Sequence, residues 1–176
     1  MILKRLFYLI LLVSASSFSQ EIMSFQNSKT YPATPTWDFI CENYALTGIA
    51  KIQIAKTEKG GLLKITVETS NNTFTIAGTM YLLLIDNKAI TCTDKGIREI
   101  NGAQISTYYS LTAIEMNQLK HTEIQSLHFN IKGKATGFSS QIGNFTAVNK
   151  AKYFATAYDT SKKSYDTVQQ IKALYL

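Results

Sequence analysis

The chain has 176 residues, with 18 Lys and Arg against 12 Asp and Glu and a formal charge of +6. Apart from Arg5 the only arginine is Arg98, so the positive charge is almost entirely lysine. Phosphate and guanine recognition draws on arginine's bidentate fork, whereas lysines scattered as in "KIQIAKTEKGG" and "KGKATG" form a solvated surface, so no nucleic-acid partner is expected.

The first residues predict a secretory signal peptide. Lys4 and Arg5 precede the apolar run "LFYLILLV", which gives way to the small, polar "SASSFSQ". The run is far short of the roughly 20 residues that cross a bilayer, so the mature chain is expected to have no integral membrane span. Ser17 and Ser19 suit the positions three and one before a cut after Ser19, with Ser17 as the alternative end. The first cysteine is Cys41, too late for lipid attachment next to the leader. The predicted organisation is a signal over 1–19, a leader or linker over 20–36 and one β-rich domain over 37–176 with a C-terminal helical segment. That length is enough for a core without staples. The mature protein is expected in the periplasm or outside the cell. The stretch 20–36, "QEIMSFQNSKTYPATPT", holds both prolines and no sustained period, which is the basis for reading it as a linker.

From Trp37 the dominant period is two. "WDFIC" and "LLKITVET" alternate apolar with polar residues, as strands with one buried face do. "GIAKIQIAKT" and "LLKITVET" flank "EKGG", whose glycines tolerate a tight turn, so a hairpin is predicted. "MYLLLI" is apolar throughout and predicts a central strand covered on both faces; "DNK" turns the chain and "AITCT" returns. "DKGIREINGA", Asp94–Ala103, is predicted to be a charged loop before the strand "QISTYYS". It gathers Asp94, Lys95, Arg98 and Glu99, either as a self-compensating surface or as a partner-binding loop on a rigid scaffold.

In "YYSLTAIEMNQLKHTEIQSLHFNIKG", Thr112 stands three residues before Glu115, the spacing of a capping box, and Leu111 and Met116 are placed as a hydrophobic staple. A short helix from Ala113 to about Lys120 is predicted, with His121 at its C-terminal end and His128 on the outward face of the next strand. Glu115 therefore has a structural role. The two histidines lie on different elements with no HExxH or paired-cysteine spacing, so neither a metal site nor any other cofactor is expected. There is no GxSxG, GxGxxG or Walker-type loop, so no catalytic residue is assigned.

Cys41 and Cys92 form an even pair in a chain expected to be exported. A bridge would close a loop of about 50 residues and stabilise by roughly 4 kcal/mol in the chain-entropy estimate. Two buried thiols acting as small hydrophobes are the other reading, and both stay open at this level. "KATGFSSQIGNFTA" fits an edge hairpin, and 147–158 is preferred as helix over strand. "SYDTVQQIKALYL" predicts a final amphipathic helix docked on the sheet. "NNT" at Asn71 and "NFT" at Asn144 fit the glycosylation pattern by coincidence in a chain of bacterial appearance.

The succession "YLLLIDNKAITCTDKGI" and "YSLTAIEMNQLKHTEIQSLHF" resembles a layout seen in uncharacterised exported bacterial proteins, in which strand, turn and strand lead to a threonine-capped helix and another strand. The resemblance implies an α+β, mainly β fold: an antiparallel sheet or sandwich-like core with the capped helix between strands. It brings no catalytic residue with it. The expected function is a non-catalytic exported module that binds a protein, an envelope component or a small apolar ligand. The alternative is a small periplasmic or extracellular hydrolase, for which Asp86, Asp94, His121 or Glu123 would have to converge in a pocket.

Overall fold

Alternating side chains build strands here because one face of each finds an apolar partner, and the strands then have to dispose of their edges. The computed structural model describes residues 20–26, 29–41, 48–134, 139–150 and 164–176. Its strands are β1 (Glu21–Phe25), β2 (Lys29–Ala33), β3 (Trp37–Cys41), β4 (Ile49–Thr57), β5 (Gly60–Glu68), β6 (Thr75–Ile76), β7 (Met80–Leu84), β8 (Ala89–Asn101), β9 (Gln104–Thr112), β10 (Ile124–Lys132) and β11 (Gly143–Val148). Two helices are described, α1 (Ala113–Leu119) and α2 (Thr167–Ala173).

The fold is mainly β, but the expected sandwich is replaced by a barrel. The antiparallel order β4-β3-β11-β10-β7-β8-β9-β5 returns to β4 through the β4–β5 pairing, closing an eight-stranded ring. Closure gives every ring strand a neighbour on both sides, which a pair of open sheets cannot do for its edge strands, although β11 meets β3 over two pairs only. Inward positions are filled by Trp37, Phe39, Ile54, Leu63, Tyr109 and Phe129 among others, all in one continuous core. Outward positions on β4 and β5 are Lys51, Gln53, Lys64, Thr66 and Glu68, partly or fully exposed. An apolar lumen with a polar wall is the reverse of a membrane-spanning barrel, which turns its apolar side chains to lipid. Among the described residues no helix is long and apolar enough to cross a membrane.

Several local expectations hold. β4 and β5 form the hairpin around "EKGG", with Thr57 opposite Gly60, and β7 and β8 form the next one. α1 starts at Thr112, whose Oγ1 accepts from Glu115 N at 3.2 Å while Glu115 Oε2 accepts from Thr112 N at 2.6 Å. Leu111 and Met116 are both buried beside that start. α2 docks on its own barrel. Ile171 is fully buried, Trp37 Nε1 donates to Gln170 Oε1, and Thr167 Oγ1 accepts from Ile124 N at 3.0 Å.

Other expectations change. Residues 20–36, predicted as a leader or linker, contain the β1–β2 hairpin. Met23 and Phe25 alternate inward against exposed Ile22 and Ser24, a period too brief to stand out in the sequence. Asp94–Asn101 is strand, not loop. β8 continues through an irregularity between Asp94 and Arg98, where Gly96 takes φ +70°, and pairs with β9 as far as Asn101 opposite Gln104. β7 is covered on one face only, since Tyr81 is 45% exposed. β11 lies between β10 and β3, so it is no edge. Of the 147–158 segment preferred as helix, Ala147 and Val148 are strand and 151–158 lie outside the described residues. The signal-peptide residues 1–19 also lie outside them.

Candidate functional site

The hairpin creates the site. The inward register of the barrel leaves Ala55, Leu62 and Tyr108 on its outer wall, and such apolar surface gains by being covered. Met23, Phe25 and Ala33 cover it as a second cluster separate from the barrel core, with Tyr31 and Ile97 packed against it. The Phe25 ring meets the Tyr108 ring edge-on at 5.1 Å between centroids. The hairpin joins the barrel sheet through one pair, Ala33 with Ala55, and the bond Thr34 N to Ile54 O at 2.9 Å. Pro32 comes immediately before that pair and has no N–H to extend a ladder. β2 therefore parts from β4, and a cleft of about 700 Å³ opens between them.

Phe25, Gly61, Leu62 and the β9 residues Ser110, Leu111 and Thr112 line part of the cleft, and its remaining lining comes from three places. β2 gives Lys29, Thr30 and Tyr31, the β4–β5 turn gives Thr57, Glu58 and Lys59, and β8 gives Thr93 and Lys95. Lys29, Lys59 and Lys95 are exposed, and among the described residues none of the three takes part in an ion pair. Glu58 is the single acidic residue among those lining the cleft.

The four residues singled out in Asp94–Ala103 divide between two tasks. Arg98 holds Asp94 bidentately, at 2.9 and 2.5 Å. Burial works against the Asp94 carboxylate, yet the Arg98 guanidinium and the Gly96 N–H keep its pKa below the ordinary value. Glu99 Oε2 accepts from Lys64 Nζ at 3.1 Å and from Tyr108 Oη at 2.8 Å. Burial raises the pKa of Tyr108, so its hydroxyl remains a donor at neutral pH. Burial opposes the charge on Lys64, but Tyr108 and Glu99 beside it raise its pKa overall. Three of the four are thus committed to local pairing, and Lys95 alone faces the cleft.

Three of the four residues that a hydrolase would have needed together are engaged separately. Asp86 accepts from Lys88 Nζ at 2.8 Å within its turn, Asp94 is held by Arg98, and His121 Nδ1 lies 2.7 Å from Asn117 O. His128 stands on the outer wall between Thr146 and Ser126, at 2.9 and 3.3 Å. Among the described residues no group of three or more His, Cys, Asp or Glu side chains could hold a metal ion. Cys41 and Cys92 are buried thiols on β3 and β8, which lie across the ring from one another. Burial pushes the Cys92 thiol up to about 12, which keeps it protonated at neutral pH. Asn71 caps its own turn by accepting from Thr73 N at 2.9 Å, and Asn144 pairs with Asn130 at 2.8 Å.

Sequence reasoning missed Lys29 and Tyr31 because β2 was hidden in the supposed linker, and Lys59 because the hairpin turn it occupies carries no sign of what packs beside it. The signal that could have found them is the alternation of "EIMSF" with a second short strand after "QNS".

Fold and cleft together define a closed eight-stranded antiparallel barrel with a side-chain-filled lumen and an external cleft under an N-terminal hairpin. No protein-family model, curated protein or solved structure matches the chain.

Proposed function

We propose that the chain is an exported, non-catalytic binding protein that takes its ligand on the outside of the barrel, in the cleft beneath the β1–β2 hairpin. The observation that carries the reading is where open space and uncompensated charge coincide. The lumen is filled by side chains, and the 700 Å³ cleft gathers three lysines outside any ion pair among the described residues. A cleft of that volume lies in the range of ligand sites. The charged leader Lys4–Arg5 and its apolar run support export to the periplasm or beyond.

Two measurements test this. N-terminal sequencing of protein from the envelope or medium should begin at Gln20, and an unprocessed chain retained in the cytoplasm would refute export. A photo-cross-linking residue at Tyr31 should give a discrete adduct in native envelope that the same residue at Thr146, on a different part of the wall, does not. Identical labelling from both positions, or turnover of a generic ester, glycoside or peptide substrate by the purified chain, would refute a non-catalytic cleft binder.

A further inference from the structure

Resting on that binding reading, we infer that the cleft's ligand is an acidic oligosaccharide. The argument is a match of three chemistries within one opening. Lys29, Lys59 and Lys95 approach from three elements that sequence separates, giving a local excess of positive charge against Glu58 alone. Thr30, Thr57 and Thr93 line the same opening and carry hydroxyls, and Tyr31 adds a half-buried aromatic residue. A uronic-acid chain presents the complement: carboxylates at regular spacing, hydroxyls between them, and C–H faces on each ring. Long-range attraction to several lysines brings such a polyanion in, and the short-range hydroxyl and ring contacts select it.

An acidic peptide fits less well. Extended peptides gain affinity by adding a strand to an open sheet edge, and where β2 parts from β4 Pro32 lacks the N–H that such a ladder needs. Nucleic acid is disfavoured by the lack of arginine in the cleft.

The test uses the mature chain, residues 20–176, with hexagalacturonate, neutral maltohexaose and hexaglutamate as probes, read by amide chemical shifts and calorimetry. Hexagalacturonate should bind and shift amides at 29–31, 57–59 and 93–95, maltohexaose should not, and hexaglutamate should be at least about tenfold weaker. Exposed lysines contribute modestly one by one, so Lys29→Gln, Lys59→Gln and Lys95→Gln together should weaken hexagalacturonate about tenfold. Lys132→Gln on β10 should change nothing. Thr57→Val with Thr93→Val, which keeps the charge, should weaken hexagalacturonate but not hexaglutamate. Because the substituted lysines are exposed, the circular dichroism of the triple variant should be that of the parent. Absence of shifts in the cleft, or affinity indifferent to the triple substitution, overturns the proposal. Equal affinity for hexaglutamate also overturns it and leaves the binding reading intact. A cleft that cross-links to a native ligand yet ignores hexagalacturonate refutes the sugar assignment alone, whereas failure of the Tyr31 cross-link refutes the reading beneath it.

Discussion

The hairpin that roofs the cleft has its own small core, so it should undock without unfolding the barrel. Phe25→Ala is the perturbation that isolates this. Phe25 is 8% exposed and packs on Tyr108 in the outer cluster, while Trp37 and Tyr109 belong to the barrel core. Removing a buried phenyl ring costs about 3–5 kcal/mol, of which the edge-on aromatic contact accounts for about 1 kcal/mol. The satellite position argues for the lower end, about 3 kcal/mol. Met23→Ala alone should cost about the same. The double variant should nevertheless lose clearly less than about 6 kcal/mol, because once the hairpin is off the wall further deletions from it cost nothing more. Urea unfolding followed by the fluorescence of Trp37, the chain's one tryptophan, measures the barrel. Hydrogen exchange should then show 21–33 opening well before the β5–β9 ladder. Fully additive losses, with hairpin and barrel amides exchanging at one common rate, would refute a separable hairpin.

Four further outcomes follow from the same structure. Gly60→Ala should destabilise by about 3 kcal/mol or more, since Gly60 has φ +151° and a Cβ there would sit 2.2 Å from the Leu111 carbonyl oxygen. Gly61→Ala meets the Met116 sulfur at 2.3 Å, a side chain able to swing away, so its thermal-melt penalty should be smaller and should fall further in a Met116→Ala background. Cys92→Ala should flatten the alkaline limb of stability. A thiol raised from 9.0 to about 12 stays protonated in the fold while the unfolded chain ionises, so the parent loses about 1.4 kcal/mol per pH unit between those values, and urea titrations should show that increment missing in the variant. Arg98→Ala should raise the Asp94 pKa toward its ordinary value, seen by NMR titration, and cost about 0.5–1 kcal/mol at neutral pH. Because that carboxyl is held below its ordinary value, the cost should vanish as pH falls through the folded pKa.

Much of the fold was legible because its signals are local. The alternation in "LLKITVET", the glycines of "EKGG", the Thr112–Glu115 box and the stripe of the last helix each involve residues within a few positions of one another. β1 was missed because two inward residues, Met23 and Phe25, make too short a pattern between polar neighbours. Asp94–Asn101 was mistaken for a loop because Gly96 and four charges interrupt the alternation there. The register of β9 shows that it is nonetheless a strand, with Arg98 opposite Thr107. The cleft could not have been read at all, since Lys29, Lys59 and Lys95 have no common spacing.

Sequence by itself determined the strands of the "EKGG" hairpin, the strand "QISTYYS" and the Thr112-capped start of α1, because backbone preference, side-chain alternation and capping act over a few residues. Tertiary structure alone decided that the sheet closes, that Cys41 and Cys92 lie on strands four places apart round the ring, and that the β1–β2 hairpin leaves a lysine-lined opening. Those outcomes depend on pairings such as Gly60 with Thr112 and Ala147 with Cys41. The free energy that selects them comes from burying one common lumen, which no single segment contains.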